Sequence, residues 1–124
     1  VTPQELQFAA LRETGVVAAD ETPSAEQGVF AQARYANLHA MLLRMGLATW
    51  ALTEDIPDAY ALPVTWMLAF HCCAGETLGV VPSIRKDMAV LGSLGSESMS
   101  VGERQLRDLL AADYVSQPAQ AEYF

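Results

Sequence analysis

Ser24-Ala-Glu-Gln-Gly-Val-Phe-Ala-Gln-Ala-Arg-Tyr-Ala-Asn-Leu-His-Ala-Met-Leu-Leu-Arg-Met45 decides the class of fold. Ala31, Tyr35, Leu38, Leu42 and Met45 recur at spacings of four, three, four and three, which lays one apolar stripe along a helix. Met41 widens the stripe. Arg34 falls on its edge, where the aliphatic stem can cover apolar surface while the guanidinium stays wet. Gln32, Asn37 and Arg44 lie off the line. Thr22-Pro23-Ser24 supplies a start, and Gly46 a left-handed stop with Leu47 placed to pack back over the last turn.

The same punctuation recurs on both sides. Upstream, Thr2-Pro3-Gln4-Glu5 reads as a capped helix start, continued by Leu6, Ala9, Ala10 and Glu13 and ended by Gly15. Downstream, Ala48, Trp50 and Leu52 share parity, so Leu47 to Asp55 reads as a short extended segment with its aromatic face buried. Glu54-Asp55-Ile56-Pro57-Asp58 opens a third helix, in which Pro63 removes a backbone donor and is expected to kink or reset the helix. From Val64 to Cys72 apolar groups point all around, which predicts a central helix. Pro82-Ser83 starts a fourth, through about Leu91, with Ile84, Met88 and Leu91 on one face. Gly92 to Ser96 reads as a flexible link. Ser100-Val101-Gly102-Glu103 is a further capping box, and Leu106, Leu109 and Leu110 form the inner side of a fifth helix. Glu103 with Arg107, and Arg104 with Asp108, stand four apart and can pair. The expected fold is all-α: a small bundle of four to five helices over residues 1–112, with an extended C-terminal arm over residues 113–124.

Composition narrows the function. At 124 residues and 52% hydrophobic, the chain is one domain that buries about two-thirds of its unfolded surface. It carries 15 acids against 7 bases, a formal charge of -8. The cations are scattered and only Arg85-Lys86 adjoin, so a surface that grips duplex DNA is not expected. No signal peptide is expected, and Leu62 to Ala74, the most apolar stretch, is too short to span a bilayer. Cys72 and Cys73 are neighbours that would bridge only with strain, which fits a reduced, cytoplasmic setting.

His71-Cys72-Cys73 is the one cluster with reactive groups. Zinc wants about four ligands in separated pairs, whereas the other histidine, His39, sits alone on another helix. A cysteine nucleophile would need a base such as His39, but a cysteine inside an apolar helix is ordinarily a packing residue. Glu54, Asp55 and Asp58 complement a helix dipole without further purpose. Phosphate-binding glycine loops are missing. No catalytic residue, metal site or cofactor is expected, and the chain is read as a non-enzyme.

The end of the chain, Asp113-Tyr-Val-Ser-Gln-Pro-Ala-Gln-Ala-Glu-Tyr-Phe124, lacks helical periodicity and is interrupted by Pro118, yet it carries Tyr114, Val115, Tyr123 and Phe124. This reads as an arm with aromatic anchors. Extended from Ser116 to Phe124 it reaches about 30 Å. Each buried anchor contributes on the order of 1.5–3 kcal/mol, against about 1–2 kcal/mol for each residue ordered. One arm therefore binds weakly, and repetition around a ring raises avidity; the competing reading is a tail that folds back on its own bundle.

The order of these parts resembles the head-to-tail adaptor, or head-completion, proteins of tailed bacteriophages, the short-tailed kind in particular. Glu54 to Pro63 is similar to the acidic, proline-containing entry to that family's central helix, and Val64 to Ala74 to its Ala- and Leu-rich middle. The final helix with Asp113-Tyr114-Val115 and Ala121-Glu122-Tyr123-Phe124 resembles its projecting arm. The resemblance implies a virion structural protein, made in the bacterial host cytoplasm and placed at the head–tail interface. It implies a homo-oligomeric ring of about twelve copies beneath the portal. Such a ring extends the DNA channel, lets DNA pass without specific binding, and offers a platform to tail proteins. Tyr114, Val115, Pro118, Tyr123 and Phe124 become the portal-contact candidates; no membrane is involved. Two other readings stay open: a small regulatory module that binds a host or phage protein through its acidic face, and a sensor or enzyme built on His71, Cys72 and His39.

Overall fold

The computed structural model describes residues 1–115, with Tyr114 and Val115 described in their backbone only. It is all-α: α1 (Pro3–Glu13), α2 (Ala25–Arg44), α3 (Asp58–Cys73), α4 (Pro82–Gly92) and α5 (Val101–Val115), with no strand among the described residues. Local chemistry sets the ends. Thr2 and Ser24 each form a reciprocal capping box, with Glu5 and with Gln27. Gly46, at φ +73°, lets α2 end in two reversed bonds: Gly46 N–H donates to the Leu43 carbonyl (3.1 Å) and Leu47 N–H to that of Leu42 (2.8 Å).

α3 lies at the centre and packs against each of the other helices. Tyr60, Val64, Met67, Leu68, Ala69, Cys72 and Cys73 are all buried, as the all-round apolar pattern predicts. Around it, Leu6, Ala10 and Leu11 come from α1, Ala31, Tyr35, Leu38 and Leu42 from α2, Met88 from α4 and Leu106 from α5.

Several expectations change. Pro63 does not break α3, because the carbonyl it leaves without a partner belongs to Ala59, which is exposed to water. Leu47 to Asp55 is a series of turns and not an extended segment: Trp50 is buried, but Leu52, of the same parity, is 42% exposed. Met41 sits at the margin of the α2 stripe, 37% exposed. Gly92 is no linker residue. It is the buried last residue of α4, where a Cβ would stand 2.5 Å from the Trp66 carbonyl carbon and 2.7 Å from the Met67 nitrogen. Gly102 has the same use, since a Cβ there would meet the Leu91 carbonyl oxygen at 2.6 Å. Two glycines thus let three helix backbones touch.

At the start of α5 only half of the anticipated capping box forms. Ser100 Oγ accepts from Glu103 N–H (3.1 Å), but the Glu103 carboxylate turns away to accept from Gly95 N–H (3.3 Å) and Arg107 Nε–H (3.0 Å). Glu103 is 4% exposed, so its charge is compensated inside the fold. Arg104 and Asp108, the other pair at that spacing, form no ion pair among the described residues.

Candidate docking surface

The C-terminal helix changes character along its length. Its first half is locked by Gly102 and Leu106, while Ala111, Ala112 and Asp113 are exposed. The helix runs through Val115, so Asp113, Tyr114 and Val115 end a helical stem and are not part of an extended segment. Their helical state has a tertiary cause in part: the Tyr60 hydroxyl donates to Asp113 Oδ2, tying the last turn to α3. Pro118, Tyr123 and Phe124 lie outside the described residues.

Behind this stem lies a buried polar network that the spacing of residues does not reveal. The Tyr60 ring lies 5.9 Å from that of Trp50, tilted by 38°. Trp50 Nε1–H donates to the Tyr35 hydroxyl (3.0 Å), and His39 Nε2–H donates to the Trp50 carbonyl (2.7 Å). Burial and the neighbouring Asp113 carboxylate push the Tyr60 hydroxyl up to about 12. The only advance signal was a concentration of amphipathic rings, with no spacing to connect them.

The network ends at a groove of about 600 Å³ between the first halves of α1 and α2. Phe8, Gly28, Val29, Tyr35 and Leu52 line it, Val29 being 67% exposed, and none of the lining residues is charged. Gln7 also lines it. The residue is 7% exposed, and its carboxamide atoms are not sealed from solvent. A second, shallower cleft of about 400 Å³ flanks α5, between Leu109 and the exposed Leu62.

His71, Cys72 and His39 are not assembled into a reactive set. His71 Nδ1–H donates to the Met67 carbonyl (2.8 Å) within its own helix, while His39 is committed to Trp50. Burial pushes the Cys72 thiol up to about 12 and raises Cys73 as well. Among the described residues no three His, Cys, Asp or Glu side chains are grouped to share a metal ion, and no helix is long and apolar enough to cross a membrane. In native protein both thiols are expected to react with Ellman's reagent only through opening of the fold, far more slowly than in urea. Because the folded state holds these protons more tightly, stability should be intact below the ordinary thiol range and fall as pH rises toward 12. Rapid native labelling at pH 8 contradicts the burial.

Comparison with known proteins adds no relative: no family model, curated protein or solved structure matches the chain.

Proposed function

We propose that this chain is a non-enzymatic assembly protein, working as a head-to-tail adaptor of the short-tailed phage kind. Copies form a ring beneath a portal, continue the DNA channel and carry the tail. The observation that supports this reading best is the build of α5, clamped to the bundle through Gly102 and Leu106 and solvent-exposed over Ala111 and Ala112, with Asp113 tied back to Tyr60. A helix rooted in this way is a stem from which Tyr114, Val115, Pro118, Tyr123 and Phe124 can reach a neighbouring molecule. The formal charge of -8 suits a channel wall that repels phosphate and lets DNA slide. Raised thiol pKa values leave Cys72 and Cys73 as neutral core groups, poor nucleophiles and poor metal ligands.

The test is electron microscopy of the protein mixed with portal rings. Full-length protein is expected to add a ring to the portal. Deleting Gln117 to Phe124 should keep the helical circular dichroism and abolish joining. Normal joining by the truncated chain would remove the arm from the mechanism.

A further inference from the structure

We infer that the outward face of α2 is a self-association surface, on which a second copy of this chain packs its own α2 antiparallel about a two-fold axis. This goes beyond the adaptor reading: such a contact closes with two copies and builds no ring, so it describes the protein before ring assembly. α2 carries two apolar stripes. Ala31, Tyr35, Leu38 and Leu42 are buried in the bundle. Val29, Ala33, Ala36, Ala40 and Leu43 recur at spacings of four, three, four and three on the side turned to water. That spacing is the repeat of a helix–helix seam. Val29 is 67% exposed and Leu43 54%, Ala33 and Ala40 are exposed, and Ala36 is half-buried. A solvated helix face ordinarily carries charges. Here, between Glu26 and Arg44, only Arg34 carries a formal charge, and it lies over the Phe30 ring at 5.0 Å on another side of the helix. In a chain with 15 acids, an outer helix side this free of charge is matched to a surface like itself.

The ends of the stripe select the occupant and its direction. Glu26 and Arg44 are both exposed, stand at opposite ends of the stripe and flank the same edge of it. An antiparallel copy whose facing residue numbers sum to about 70 sets Val29 opposite the second copy's Ala40, and Ala33 opposite its Ala36. The same register puts Glu26 beside the second copy's Arg44, once at each end. A parallel copy would set Glu26 against Glu26 and Arg44 against Arg44. Charge therefore makes the face complementary to itself in one direction only. The three alanines let the two backbones approach to about 8 Å, the short end of helix separations, and Val29 and Leu43 supply the larger apolar contacts. At 20 residues α2 is about 30 Å long. One such seam is small for a specific interface, so the dimer is transient and dissociates on dilution.

The test is sedimentation of the full-length chain from micromolar to millimolar protein. The parent should pass from monomer to dimer across this range. Ala40→Glu, at an exposed position on the seam, should leave the circular dichroism and melting curve of dilute protein unchanged. It should weaken the dimer roughly a hundredfold, because each dimer would bury two new carboxylates. Glu26→Arg and Arg44→Glu should each weaken it about tenfold by setting like charges together at both ends, and the two combined should return it to within about threefold of the parent. Each of these reversals also opposes the α2 dipole within one protomer, so a local effect on the helix cannot produce that recovery. A parent that stays monomeric throughout overturns the inference, as does a dimer indifferent to Ala40→Glu, which would place the contact elsewhere. A doubly reversed chain no tighter than the single variants would overturn the antiparallel pairing. A face shielded only when portal rings are added would belong to a different protein. Joining to portal rings is read separately, so the adaptor reading stands or falls without this contact.

Discussion

Gly92→Ala should lower the melting temperature by on the order of 10 °C or more, the largest effect of any single added methyl group in this protein. The added Cβ would lie 2.7 Å from the Met67 nitrogen and closer still to the Trp66 carbonyl. These are backbone atoms in the middle of α3, held by its own hydrogen bonds, so no side chain can rotate to make room. Relief requires α4 to move off the central helix, which exposes the interface around Met88. The cost should reach the upper end of overpacking penalties, about 3 kcal/mol or more. Gly28→Ala is the control. A Cβ there meets only the Phe8 ring at 4.0 Å, an ordinary contact. Helix propensity then favours alanine by about 0.5–1 kcal/mol, and the melting temperature should hold or rise. If both variants melt alike, the close approach of α3 and α4 is wrong.

Trp50→Ala should cost about 3–5 kcal/mol, the usual range for emptying a buried aromatic site. Trp50 is 4% exposed, and its ring sits between Tyr60 and His39 while its Nε1–H is given to Tyr35. Removing it leaves the Tyr35 hydroxyl without its donor and frees the turn segment that closes one end of the groove. Two gentler changes isolate the hydrogen bond. Tyr35→Phe leaves a buried indole N–H unsatisfied and should cost about 1–3 kcal/mol. Trp50→Phe in that background should then cost less than it does alone, with a coupling of about 1 kcal/mol from urea unfolding. Strict additivity would mean that the bond contributes nothing. Because Tyr60 also holds Asp113, Trp50→Ala is further expected to loosen the last turn of α5, read as faster amide exchange there.

Much of the helical layout was legible along the chain, for reasons that act over a few residues. The α2 stripe, the caps at Thr2 and Ser24, and the stop at Gly46 depend on side chains one to four positions from the backbone groups they serve. The all-round apolar character of Val64 to Cys72 likewise fixed α3 as central, since such a helix has no face to turn to water. Where the reading failed, the deciding partner was distant in sequence. Leu52 shares the parity of Trp50 but is 42% exposed, because Trp50 is held by Tyr35 and His39 and Leu52 has no such hold among the described residues. Pro63 passes as a helix interior residue because α3 is fixed by its neighbours on every side and its orphaned carbonyl meets solvent.

Of the proposed docking surface, the chain order disclosed only the composition of the last residues, Tyr114, Val115, Tyr123 and Phe124 among them, since that is a fact of residue type. It did not disclose that Asp113 to Val115 would continue a helix, or that Phe8, Val29 and Leu52 would line an uncharged groove. Nor could it separate Gly92 and Gly102, which admit neighbouring backbones, from glycines that merely end helices. Periodicity and capping are written in near-neighbour geometry and survive in a linear string. Backbone approach and a hydroxyl's chosen acceptor are set only when five helices close around one another.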